Sequence, residues 1–211
     1  MQIAKILGKM GSVDRAMKSA YEHRPQQLEM AEAVETALRT KTHLVVEAGT
    51  GVGKSLAYLV PVILRAREEN CRVVVSTYTK ALQQQIIQKD LPFLKMVLGD
   101  FRFALCVGGE NYLCLRRFDQ LRMHDLYDHA ERDPLNRLFE WSTATRTGLR
   151  SELEAEPPPG LWTKACRQSD LCFGRDCSYY KDCFYQKAKA REQQAQVLVA
   201  NHHLFFADMA T

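Results

Sequence analysis

One stretch of nine residues constrains this chain more than any other. Glu47–Ser55 reads EAGTGVGKS, follows the apolar run 43–46 and precedes the helix-like apolar run 56–60. A β-branched run, a glycine-rich turn and a helical pattern give the order strand, loop, helix that a phosphate-binding loop requires. The sequence therefore predicts a strand over 43–46, a phosphate-binding loop over 48–55 and a helix beginning near Lys54.

Each residue type in this loop has a role in binding phosphate. Glycines allow backbone torsions and close approach, so that consecutive N–H groups converge on phosphate oxygens at a helix N-terminus. The ammonium of Lys54 can reach the β- and γ-phosphates, and the hydroxyl of Ser55 is the usual ligand of a phosphate-bound Mg²⁺. The predicted cofactors are ATP and Mg²⁺, with Lys54 and Ser55 in the catalytic role. The residues predicted to bind the nucleotide here are Gly49, Thr50, Gly51, Val52, Gly53, Lys54 and Ser55.

A second candidate group lies upstream, where Arg24 and Gln27 stand three residues apart. Pro25 is well placed to begin a helix that continues through Leu38. A glutamine amide can both donate to and accept from the edge of adenine. Both residues are therefore predicted to contact the nucleotide base. At this point a helix start with solvated polar side chains remains the alternative.

Further apolar runs indicate the fold class. Cys71–Thr77 and residues 103–107 read as buried strands, and strands that alternate with helices predict an α/β fold with a parallel, doubly wound sheet. Ligands of such sheets gather at the carboxyl ends of strands. We expect Ser76–Thr79, Lys80 and Gln83–Gln85 to form one polar patch there that contacts a nucleic-acid backbone. A solvated turn and helix face is the alternative.

Composition sets outer limits on the protein class. The chain has 211 residues, of which 46% are hydrophobic, and a net charge of +4, which is too mild to indicate a nucleic-acid binder by itself. No apolar stretch approaches the roughly 20 residues that span a bilayer. Lysines at positions 5, 9 and 18 interrupt the start, unlike a signal peptide. We expect a cytoplasmic monomer without membrane contact.

The seven cysteines are unevenly distributed. Cys166, Cys172, Cys177 and Cys183 fall within eighteen residues. Four thiolates are the ligand set of structural zinc and of an iron–sulfur cluster. The last two gaps leave four and five residues between cysteines, which suits a bulkier cubane cluster better than the close pairs of zinc sites. We therefore expect a 4Fe-4S cluster, with zinc or unligated buried cysteines as the alternatives.

The fourth ligand has two candidates, Cys114 and Cys166. Cys71 and Cys106 lie inside predicted strands, where a cysteine is a small core residue. Cys114 ends a glycine-containing turn that leaves the sheet, and residues 115–165 look inserted. With Cys114 as a ligand, the metal site would connect the two ends of that insertion. The predicted ligand set is Cys114, Cys172, Cys177 and Cys183.

Taken together, these motifs resemble the N-terminal part of a DinG-like DNA helicase, in the iron–sulfur branch of superfamily 2 that includes XPD. The resemblance depends on residues 24–27, 47–55, 76–77 with 82–85, 111–114, the cysteine cluster closing at 183–184, and the returning strand in 197–204. It implies a RecA-like P-loop NTPase sheet with an inserted, mainly helical iron–sulfur domain. The expected domains are a first part of the motor over 1–107, the iron–sulfur domain over 108–185, and a return to the motor over 186–211.

The resemblance also implies an activity. Such proteins are ATP-driven motors that move along single-stranded DNA and separate duplexes at forks, usually 5′ to 3′, in DNA repair. On that reading Arg24 and Gln27 sense adenine, the four predicted cysteines hold the cluster near the point of strand separation, and Cys166 is surplus.

One family feature is absent from this sequence. Family members place an Asp-Glu-Ala-His box after the returning strand, whereas this chain has no Asp-Glu dipeptide. The expectation is a fragment that binds nucleotide weakly and does not hydrolyse it. Two other classes remain open: a small P-loop kinase or switch with a structural zinc, and a DNA-binding adaptor whose DNA affinity is indifferent to ATP.

Overall fold

A computed structural model of the chain describes residues 2–18, 22–123, 130 and 132–209. The chain divides into two compact units. The first, called here the sheet unit, comprises Met1–Cys106 and Gln194–Thr211. The second, called the cysteine unit, comprises Val107–Gln193. The predicted domain boundaries at 107 and 185 stay predictions.

The described residues form eleven α-helices and three strands. In chain order they are α1 Gln2–Leu7, α2 Ser12–Met17, α3 Pro25–Thr40, α4 Lys54–Glu68, β1 Val73–Thr77, α5 Lys80–Gln85, α6 Leu91–Leu98, β2 Phe103–Cys106, α7 Leu115–Met123, α8 Arg132–Ala144, α9 Pro159–Ala165, α10 Phe184–Gln194, β3 Val197–Asn201 and α11 His202–Met209. A π-helical turn, Ile86–Asp90, joins α5 to α6.

The sheet unit is built on a three-stranded parallel sheet in the order β1–β3–β2. Val199 of β3 lies opposite Val75 of β1 on one side and Leu105 of β2 on the other. Parallel neighbours need a crossover connection, and helices supply it here. The predicted α/β fold with a parallel sheet is confirmed. The predicted strands at 71–77 and 103–107 are present in slightly shorter form.

The core of the sheet unit joins the sheet to α1, α3, α4 and α6. Its fully buried members include Ile3, Leu59, Ile63, Leu94 and Val197. The predicted helices beginning at Pro25 and near Lys54 are confirmed as α3 and α4, and Pro61 lies inside α4. Burial of these apolar faces removes their surface from water. It also fixes α4 against the rest of the sheet unit.

The predicted strand at 43–46 is wrong. These residues adopt no regular structure, and Leu44, Val45 and Val46 expose 43%, 97% and 40% of their surface. None of the three described strands pairs with this run. A β-branched run forms a strand only where a neighbour supplies hydrogen bonds and a face to cover. The loop and helix that follow form without it.

The cysteine unit is mainly helical, with α7, α8, α9 and most of α10. Its core contains Leu121, Leu138, Leu161, Trp162 and Phe184. The indole Nε1 of Trp162 donates to the carbonyl of Glu110 at 2.9 Å. Because a buried indole N–H needs an acceptor, this bond fixes the turn before Cys114 on α9.

Within the described ranges, no helix has both the length and the apolar character needed to cross a membrane.

Candidate functional site

The glycine-rich loop reaches α4 through two residues in the left-handed backbone region. Gly51 has φ +81° and Gly53 has φ +82°, a conformation that glycine adopts without steric cost. Gly53 is the N-cap of α4, whose fifteen residues start at Lys54. The first N–H groups of a helix have no partners within the helix and, with the helix dipole, favour anions. The loop therefore presents an anion-binding helix N-terminus.

Lys54 lies directly over this loop. Its Nζ donates to the carbonyl oxygens of Ala48 and Gly49, each at 2.8 Å. The ammonium is thus held at the same place as the helix N-terminus, so that both attract a phosphate group.

Gln27 and Arg24, predicted to sense adenine, contact the backbone of the same loop. The Nε2 of Gln27 donates to the carbonyl of Gly53 at 2.9 Å, and Gln27 is only 3% exposed. Arg24 donates from Nη1 to the carbonyl of Gly51, and its Nη2 pairs with Glu22 at 3.0 Å. The structure therefore brings these two residues to the phosphate-binding loop. Their contact with adenine stays a prediction.

Ser55, the predicted Mg²⁺ ligand, has two polar neighbours that sequence reasoning missed. Tyr58 and Asp90 lie near its hydroxyl, which opposes the effect of burial on the pKa of each side chain. Burial raises the pKa of Asp90, and hydrogen bonds from Gln85 and Ser55 oppose that rise. Burial likewise raises the pKa of Tyr58. Tyr58 stands one turn along α4 from Ser55, a spacing that could have marked it, whereas no local sequence signal marks Asp90.

The polar patch predicted at the end of β1 is only partly exposed. Thr77 and Gln83 are buried, at 4% and 2% exposure, so the prediction that they face a ligand at the surface is wrong. They face inward because β1 and α5 pack against β3. Tyr78 is 73% exposed, and Lys80 is also exposed. The exposed part of the patch therefore consists of the turn after β1 and the start of α5.

The four predicted cluster ligands line one cavity of the cysteine unit. Cys114, Cys172, Cys177 and Cys183 all lie in its wall, whereas Cys166 does not. Cys166 is 4% exposed in the hydrophobic core, and its thiol lies 3.7 Å from the carbonyl of Thr163. The structure thus brings together the chosen set and leaves the alternative fourth ligand outside it.

Three of these cysteines share a local backbone geometry. The N–H groups of Cys172, Cys177 and Cys183 each donate to a carbonyl three residues earlier, at 3.3 Å. The N–H of Cys114 instead donates to the carbonyl of Ala165 at 3.0 Å. Tight turns therefore present three of the thiols, and a contact with the end of α9 presents the fourth.

The cavity also has a distinct charge. Arg116, Arg117 and Arg167 are among its lining residues, and no acidic residue is among those described. Burial raises the pKa of the Cys114 thiol, while the nearby Arg116 and Arg117 act in the opposite direction. Positive charges beside thiols favour the thiolate, which is the form that binds metals.

The donor set fits an iron–sulfur cluster, although the enclosed space is small. The cavity volume is about 30 Å³, which is enough to hold a water molecule. In the described ranges, this cavity included, no group of three or more His, Cys, Asp or Glu side chains is arranged to hold a metal ion.

Comparison with known proteins gives one consistent relationship. Residues 24–124 match the DEAD/DEAH box helicase family. The ATP-dependent DNA helicase YoaA of Haemophilus influenzae is 37% identical over 212 residues, covering 99% of this chain and 32% of the relative. YoaA of Escherichia coli is 41% identical over 90% of this chain and 30% of its own length. The ATP-dependent helicase DinG of Mycobacterium tuberculosis is 38% identical over 86% of this chain and 30% of its own length. The chain thus spans about a third of the length of these relatives.

Proposed function

Because this chain carries a DEAD/DEAH box helicase domain and is related over most of its length to DinG-like ATP-dependent DNA helicases, we propose that it supplies the nucleotide-binding part of such a motor. The protein then couples ATP hydrolysis to the unwinding of DNA. This relationship favours the helicase over the kinase and adaptor alternatives.

The observation that carries this proposal is the geometry of the phosphate-binding loop. Two glycines with left-handed backbone φ lead into the N-terminus of α4. The Lys54 ammonium lies 2.8 Å from two loop carbonyl oxygens. We assign the β- and γ-phosphates of ATP to this helix N-terminus and to Lys54, and Mg²⁺ to the Ser55 hydroxyl. Gln27 and Arg24, bound to the carbonyls of Gly53 and Gly51, hold the loop and sense adenine.

We assign single-stranded and forked DNA as the substrate, with movement 5′ to 3′. The exposed ring of Tyr78 can stack on a base, and the exposed ammonium of Lys80 can pair with a phosphate. Stacking and backbone charge contacts are largely independent of base sequence, as a translocating motor requires.

We further assign a 4Fe-4S cluster to Cys114, Cys172, Cys177 and Cys183. The supporting observation is that these four thiols, and not Cys166, line the cavity that three arginines also line. When bound, the cluster supplies a redox-active cross-link between the cysteine-bearing segments.

The test is ATP hydrolysis by the complete protein and its Lys54→Ala variant, with and without single-stranded DNA. Loss of the ammonium removes charge stabilisation of the transferred phosphoryl group, so we expect hydrolysis to fall about 10²-fold or more. Lys5→Ala, on the exposed side of α1, is the matched control and should behave as wild type. DNA-stimulated hydrolysis that survives in Lys54→Ala would contradict the proposal.

The adaptor alternative is tested by measuring DNA binding and unwinding with the same protein samples. A motor unwinds a forked duplex only with ATP, whereas an adaptor binds DNA with an affinity that ATP does not change. Binding that is salt-sensitive but unchanged by ATP, without unwinding, would favour the adaptor.

A further inference from the structure

We propose that Arg116 positions the Cys172 ligand and supplies positive charge at the cysteine cavity, so that it governs both how firmly the cluster is held and its reduction potential. This inference rests on the proposed cluster site. Arg116 is a positioning residue here, because it acts on the segment that carries Cys172.

Arg116 contacts both neighbours of Cys172. From the first turn of α7 its Nη2 donates to the carbonyl of Leu171 at 2.6 Å. Its guanidinium carbon lies 4.0 Å from the centroid of the Phe173 ring. One guanidinium therefore holds the backbone before Cys172 and the side chain after it.

The segment around Cys172 has little apolar burial to hold it. Leu171 and Phe173 expose 45% and 59% of their surface, and Cys172 is itself exposed. The N–H of Cys172 makes a 3.3 Å bond to the carbonyl of Ser169, which is local to the same turn. The contact with Arg116 joins this segment to a helix 55 residues earlier in sequence. It thereby links Cys172 to the element that follows Cys114.

The guanidinium is itself oriented by its own helix. Nη1 of Arg116 donates to Oε1 of Gln120 at 3.1 Å, one turn along α7. With Nη2 on Leu171 and its face on Phe173, the planar group makes three contacts that a lysine ammonium cannot reproduce together. Replacement by lysine therefore keeps the charge and loses the geometry.

The other two arginines of the cavity make different contacts. Arg117 donates from Nη2 to the carbonyl of Thr163 at 3.0 Å and from Nη1 to that of Cys166. The guanidinium of Arg167 lies 4.0 Å from the ring centroid of Tyr185, and its Nη1 donates to Oγ of Ser169 at 3.0 Å, a contact local to the segment before Cys172. Arg116 is the arginine of this lining that joins the two neighbours of Cys172 to α7.

Charge at this position also affects the redox equilibrium. A cluster held by four thiolates is negatively charged and gains one further negative charge on reduction. Nearby positive charge stabilises the reduced form more than the oxidised form, and so raises the potential. Removal of the Arg116 charge shifts the potential to more negative values.

The experiment compares Arg116→Lys and Arg116→Gln in the complete protein, reconstituted anaerobically with iron and sulfide. One readout is the rate at which a chelator removes iron, and the other is the midpoint potential in a dithionite titration. The matched control is Arg122→Gln. Arg122 lies on the same helix, 3.7 Å over the ring of Phe139, and is not in the cavity lining.

We expect both Arg116 variants to lose iron about tenfold faster than wild type, since each loses a charge-assisted hydrogen bond to the ligand segment. The potential should become more negative in Arg116→Gln and stay near wild type in Arg116→Lys. Arg122→Gln should match wild type in both readouts. A merely structural role would not separate lysine from glutamine in the potential.

Two results would overturn the inference. If both Arg116 variants match Arg122→Gln in iron loss and potential, Arg116 has neither role while the cluster site stands. If the wild-type protein itself retains no iron and sulfide after reconstitution, the proposed cluster fails and the inference fails with it.

Discussion

At the scale of single residues, the three glycines of the phosphate-binding loop face different constraints. A Cβ on Gly53 would overlap the Nε2 of Gln27, a side chain that is 3% exposed and bonded to the same residue. In the described part of the chain, no atom lies within 4 Å of a Cβ built on Gly51 or Gly49. Gly51 shares the left-handed φ of Gly53, whereas Gly49 does not.

These differences predict a graded series of alanine variants. Gly49→Ala should change the free energy of unfolding by less than about 0.5 kcal/mol. Gly51→Ala should lose about 1–2 kcal/mol, because a left-handed backbone strains an L side chain. Gly53→Ala should lose more, since it adds the collision with Gln27. Thermal unfolding of the purified variants measures the order, and equal melting temperatures for Gly49→Ala and Gly53→Ala would contradict this account.

Around the phosphate-binding loop, some residues could be predicted from the sequence and others could not. Glycine spacing with Lys54 and Ser55 identified the loop, because those residues act through local backbone geometry. The contact of Gln27 with the nucleotide stays a prediction, and the structure adds its bond to the carbonyl of Gly53. Asp90 was missed because it meets Ser55 only after α5 and the π-helical turn have folded.

At the scale of elements, the junction of β3 and α11 is fixed by side chains at the carboxyl end of the sheet. Asn201 ends β3, and its Oδ1 accepts the N–H of Leu204 at 2.7 Å, in the manner of an N-cap for α11. Ser76 Oγ and His202 Nδ1 lie 2.7 Å apart, which joins the end of β1 to the same helix start. The two bonds hold α11 to neighbouring strands.

Loss of the Asn201 cap should therefore destabilise the sheet unit. Asn201→Ala is expected to cost about 0.5–2 kcal/mol in the free energy of unfolding, whereas Asn201→Asp keeps an acceptor and much of that stability. His203→Ala, an exposed neighbour on α11, is the matched control. Thermal unfolding of the three variants measures this, and an Asn201→Ala variant as stable as His203→Ala would show that the cap contributes nothing.

Elements also show why one apolar run formed no strand. The β-branched runs of β1 and β3 are strands because each pairs with a parallel neighbour and buries one face. The run at 43–46 is also largely apolar and contains two valines, but it is exposed and unpaired with the described strands. The local sequence pattern indicates which residues suit a strand. Whether a neighbouring strand is available to pair with them depends on the tertiary fold, which the local pattern does not give.

At the scale of the whole molecule, the chain divides into a sheet unit with the nucleotide loop and a cysteine unit with the thiol-lined cavity. The parallel sheet followed from the alternation of apolar runs and helices. The gathering of Cys114 with three cysteines more than fifty residues later could be anticipated from its place at the start of the insertion. The arginines of the cavity were not anticipated, because only the folded unit brings them to one wall.

The central claim is that a nucleotide-binding motor part and an iron–sulfur site share this chain. Its most direct test is iron and acid-labile sulfide analysis of protein purified without oxygen. We predict about four iron atoms and about four sulfides per chain, lost together when Cys114 is replaced by serine and retained when Cys166 is replaced. Protein that contains zinc, or no metal, and no sulfide would contradict the account.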